Sequence, residues 1–112
     1  MIQQLIQMFG PSHMKEIESL ARQVVDSSVE GVCQRVGQRM DNMTLSEARG
    51  YIRARAASTI RRHTRLILSQ QKNANPAWAA SIVRTSTERI IPLVLRQLGV
   101  GVPRLATVRQ AA

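Results

Sequence analysis

Apolar residues recur at three- and four-residue spacing through most of this chain, and that period constrains the fold class more than any other feature. Ile2, Leu5, Ile6 and Phe9 fall at i, i+3, i+4 and i+7. Ile17, Leu20, Ala21, Val24, Val25, Val29, Val32, Val36 and Met40 keep one broad face. The pattern returns in Leu45, Ile52, Ala56, Thr59, Ile60, His63 and Ile67, and again from Trp78 and Ile82 through Ile90, Val94 and Leu98. Such spacing marks amphipathic helices. Phe9, Tyr51 and Trp78 are the whole aromatic set, so the core must be built from Leu, Ile, Val, Met and Ala. The expected class is all-α: three long antiparallel helices forming a bundle, with a short N-terminal helix and a flexible C-terminal tail.

Turn chemistry sets the expected boundaries. Gly10-Pro11 ends the first short helix, and the next runs to Asp41-Asn42, roughly 28 residues or ~42 Å. Gly31 and Gly37 lie within it; a mid-helix glycine costs ~1 kcal/mol against alanine, so each implies close backbone approach or a break. Thr44-Leu45-Ser46-Glu47 is a capping box, in which the threonine hydroxyl and the glutamate carboxylate each satisfy one unpaired amide. The helix it opens should reach about Gln70. Asn75 then caps and Pro76 occupies the first position of the last helix, Pro92 should kink it near Glu88, and Gly99 closes it. Length favours one domain over residues 1–99, with residues 100–112 as a tail.

Charge is concentrated rather than spread. Ala48 to Thr87 holds no acid and eight bases, for +8, against −2 for Met1 to Glu47 and +3 for Glu88 to Ala112. At 100° per residue, Arg55, Arg61, Arg62 and Arg65 share the side of the third segment opposite its apolar face. Arg49 and Arg53 sit at the apolar edge, where their stems can lie along a neighbour. The bland reading is a solvated face, paired in part with Glu16, Asp26 and Glu30 across a hairpin; such exposed pairs contribute only ~0–1 kcal/mol each. The functional reading is an anion-binding face made by Arg55, Arg61, Arg62 and Arg65.

Three partners compete for that face. Nucleic acid is favoured by fourteen arginines against two lysines, since a guanidinium bridges phosphate oxygens bidentately. Few aromatics argue against single strands, which are held by base stacking, and leave duplex backbone contact. An acidic protein satisfies the same charges, and the expected alternative is an oligomeric adaptor binding such a partner. A membrane surface ranks third, because Leu66 and Leu68 interrupt the basic side and no large aromatic anchors it. Apolar flank around Val24, Val25, Val29 and Cys33 has no evident cover, which points to a homo-oligomer, a dimer first.

Catalytic chemistry finds little to work with. Cys33 is the only cysteine, so neither an intrachain disulfide nor a cysteine-rich zinc site is available, and a reducing, cytoplasmic setting is the default. Two histidines and a cysteine far apart make no metal motif, and no cofactor is expected. No apolar run approaches the ~20 residues of a membrane span. His63 falls on the apolar side of the arginine helix and reads first as a packed or interface residue. A histidine among basic residues on a helical bundle also resembles the histidine phosphotransfer domains, over His63, Arg62 and Arg65 alone. Those domains follow the histidine with a lysine–glycine pair where this chain has Arg65-Leu66. The expectation is a non-enzymatic binding module.

Overall fold

The computed structural model describes residues 2–37 and 39–99, and places the side chains of 13–37 and 39–99. Three helices, α1 (Ile2–Val36), α2 (Leu45–Ser69) and α3 (Ala79–Leu98), pack each against the other two, and no strand occurs among the described residues. The all-α class expected from the apolar period is what the chain adopts. The tail expected over residues 100–112 lies outside the described residues.

α1 departs from expectation at both ends. It passes through Gly10-Pro11 unbroken, so the short N-terminal helix is not a separate element. Proline removes one intrahelical donor but keeps a helical φ, so the pair weakens a helix without having to end it. The true end is at Val36. Gly37 takes φ +52°, and its N–H donates to the Cys33 carbonyl at 2.9 Å. A residue without Cβ enters that left-handed conformation at little cost, so the chain turns four residues before the expected boundary. Met40 lies beyond the helix yet is 1% exposed, because the turn folds it back onto the core.

α2 begins where its sequence requires. The Glu47 amide donates to Thr44 Oγ1 at 3.1 Å, and the Thr44 amide donates to Glu47 Oε1 at 2.9 Å. Two otherwise unpaired donors are satisfied reciprocally. Ala48, Ile52, Ala56, Thr59, Ile60 and Thr64 form its buried side. Ser69 is the last residue and Gln70 the C-cap.

Asn75 accepts from the Ala77 amide at 2.9 Å, as a cap before Pro76 should. It opens a single 3₁₀ turn, Pro76–Trp78, which leads directly into α3. α3 continues through Pro92, which sits on its exposed side, where the carbonyl freed at Glu88 can meet water. Gly99, with φ +74°, terminates it.

The core joins Ile17, Val24 and Val32 of α1, Ile52 and Ile60 of α2, and Ile82, Ile90 and Val94 of α3. Small residues bring α1 and α3 close enough for the buried Ser86 hydroxyl to reach the Ala21 carbonyl at 3.3 Å. The flank around Val24, Val25 and Cys33, expected to be open, is covered within the chain, and Val29 packs half-buried against the core. A three-helix layer supplies two neighbours to each helix, enough to close a face this broad. Leu45, Leu66 and Leu93 are the large apolar residues left exposed among the described positions.

Candidate anion-binding face

α2 turns its apolar side inward, which aims Arg55, Arg61, Arg62 and Arg65 at solvent; all four are exposed. Ten residues at 1.5 Å each spread them over ~15 Å of helix. The Arg55 guanidinium lies over the Tyr51 ring, 5.2 Å from its centroid. A cation held on an aromatic face is pre-ordered by ~0.5–1 kcal/mol at an exposed site, and Tyr51, one turn back, is where an arginine leaning toward the helix N-terminus meets it.

Other arginines are used within the fold. Arg53 grips the Glu88 carboxylate of α3 through Nε and Nη2 at 3.1–3.2 Å, and Arg89 of α3 pairs with Glu18 of α1. Among the described residues these are the ion pairs, and neither involves the four candidate arginines. Asp26 and Glu30, expected as partners across the hairpin, are exposed instead. Asp26 lies about 160° around α1 from Ser28, which faces α2, so the rotation of α1 on the core points it away, and Glu30 joins neither ion pair found among the described residues. Glu16 likewise joins neither pair among the described residues.

Beside the apolar core, polar side chains also join α1 to α2. His63 Nδ1 is 2.9 Å from both Ser27 Oγ and Ser28 Oγ. Burial lowers the His63 pKa below its ordinary value, and the neighbouring Arg62 charge lowers it further. The imidazole is therefore neutral at neutral pH, and a small depression of about 230 Å³ beside it is lined by Ser27, His63, Leu66, Ile67 and Gln70. Further along the seam, Arg35 Nη1 donates to Ser58 Oγ at 2.9 Å. No motif in the sequence singles out Arg35. Its approach to Ser58 depends on how α1 and α2 are paired, which no local pattern states.

The remaining reactive groups are occupied or shielded. Cys33 is buried, and desolvation, then the Glu30 charge, raises its thiol pKa, so the inert protonated form dominates. Trp78 is 4% exposed, with His13 tilted against it at 5.5 Å; its indole N–H has no partner among the described residues. No cluster of three potential metal ligands occurs among the described residues, and no described helix is long and apolar enough to cross a membrane. Comparison with known protein families, curated proteins and solved structures gave no match to this chain.

Proposed function

We propose that this chain is a non-enzymatic binding module that holds the phosphate backbone of duplex nucleic acid on α2, through Arg55, Arg61, Arg62 and Arg65. One observation carries the reading. Among the described residues, Glu88 and Glu18 pair with Arg53 and Arg89, no ion pair involves the four candidate arginines, and all four keep their charge in solvent. A duplex offers a phosphate charge per ~1.7 Å of axis, so a row of ~15 Å meets several. Single strands fit less well, because Trp78 is buried and Tyr51 already lies beneath Arg55, which leaves no described aromatic free to stack on bases. We take the helices to be antiparallel in sequence order, on the pairing of Ser27 with His63 and Arg35 with Ser58. We place the protein in the cytoplasm.

If about four arginines each neutralise a phosphate, log affinity falls with log salt at a slope near −3.6. Raising salt from ~50 to ~200 mM then weakens binding on the order of a hundredfold. Fluorescence anisotropy on a labelled DNA duplex reads this directly, and absence of binding at low salt removes the proposal.

The alternative is an oligomeric adaptor for an acidic protein partner. Exposed Leu66, at 53%, beside the basic row is the observation in its favour. It predicts a dimer, hence a mass near twice 12.5 kDa by light scattering; a mass of about 12.5 kDa removes the self-association.

A further inference from the structure

We infer that the face extends onto α1, and that Arg35, Ser58 and Arg62 form a clasp for one phosphodiester group at the α1–α2 seam. This rests on the duplex reading and names the groups that hold a single phosphate within it. Ser27, Gly31 and Arg35 stand in a row at four-residue spacing along α1. Ser27 meets His63 at one end of the row and Arg35 meets Ser58 at the other. Gly31 falls between those two links, opposite the stretch of α2 that carries Arg62. A Cβ built on Gly31 meets nothing within 4 Å, so the seam is open there.

Helix geometry directs the three donors toward that opening. A helical arginine covers the turn N-terminal to its own Cα, which places Arg62 over Ser58, four residues before it. Arg35 spends one N–H on Ser58 Oγ and keeps four others. Thr64 and Thr87 donate their hydroxyls to carbonyls four residues back, whereas Ser58 makes no such bond and only accepts from Arg35. Its proton is free for an anion. A phosphodiester seated over Gly31 would receive a forked pair from Arg35, a second from Arg62, and the Ser58 hydroxyl. Neither Asp26 nor Glu30 is in an ion pair with Arg35 or Arg62 among the described residues.

The test is anisotropy on a short DNA duplex across a salt series, with far-UV circular dichroism as the folding control. Arg35→Gln should weaken binding about tenfold, as the loss of a charge-assisted hydrogen-bond donor does, while the salt slope changes by less than one unit because Arg62 keeps the shared phosphate. Ser58→Ala should weaken binding about fivefold while raising helix propensity, so folding and binding move in opposite directions. Gly31→Gln, which fills the opening without changing charge, should also weaken binding. Arg84→Gln, on α3 and outside any ion pair, should do markedly less. Binding by the unaltered protein with Arg35→Gln, Ser58→Ala and Gly31→Gln all tracking Arg84→Gln overturns the clasp and leaves the α2 reading standing. No duplex binding by the unaltered protein overturns both. Should Arg35→Gln fail to fold, Ser58→Ala and Gly31→Gln decide the matter alone.

Discussion

Arg53 and Arg62 lie nine residues apart on one helix and are used differently. Arg53 faces α3 and is bound to Glu88, while Arg62 is exposed and joins neither ion pair found among the described residues. Composition counts them alike, and only the rotation of each helix on the core separates them. Changing Arg61 and Arg62 to Gln together should therefore shift the denaturant midpoint little, each surface change being within ~0.5 kcal/mol. A double variant that unfolds would show that these arginines belong to the protein's own packing. His63 supplies a second residue-scale test. Its folded pKa is lowered, by burial first and by Arg62 second, so the unfolded chain takes up the proton at higher pH than the folded one. Stability from this residue is full above the unfolded value of ~6.5 and declines as pH falls below it, until the folded imidazole also protonates. His63→Gln should remove that part of the acid-side decline, measured as the difference from the unaltered protein. Identical slopes would contradict the buried, neutral imidazole.

At the scale of elements, legibility followed locality. The start of α2 was readable because cap and partner are three residues apart, so Thr44 and Glu47 hold all the information. Replacing Thr44 by Ala should cost ~0.5–2 kcal/mol, and an unchanged midpoint would mean the cap is idle. Glu47 has a lowered pKa, from the Thr44 backbone amide first and its side chain second. Its share of the box is thus present above the ordinary carboxylate range and lost as pH falls through the lowered value. The ends of α1 were less readable. A glycine next to a proline looks like a stop but does not force one, whereas Gly37 stops the helix through a φ that nothing in its neighbours announces. The two mid-segment glycines accordingly predict opposite signs. Gly31→Ala, in open helix, should stabilise by ~0.5–1 kcal/mol, and Gly37→Ala, at φ +52°, should destabilise. Equal shifts in the thermal midpoint would contradict this account of where α1 ends. The cross-helix partners were illegible for a related reason: Glu18, Glu88 and Ser58 are chosen by core packing, and the sequence alone favoured Asp26 and Glu30.

For the whole molecule, the net charge of +9 becomes informative only once the fold has sorted it. Glu18 and Glu88 tie α3 to its two neighbours, and from Ala48 onward α2 carries bases and no acid. The covering of Val24, Val25 and Cys33 by the chain itself removes the apolar flank from which self-association was expected. What distinguishes this surface is therefore charge, and its partner should be sensitive to salt more than to apolar contact. The most direct test compares the salt dependence of duplex binding for the unaltered protein and the Arg61→Gln/Arg62→Gln variant. The account predicts a log–log slope near −3.6 that flattens by roughly two units in the folded variant. A slope unchanged by the two substitutions, or no duplex binding at low salt, would contradict it.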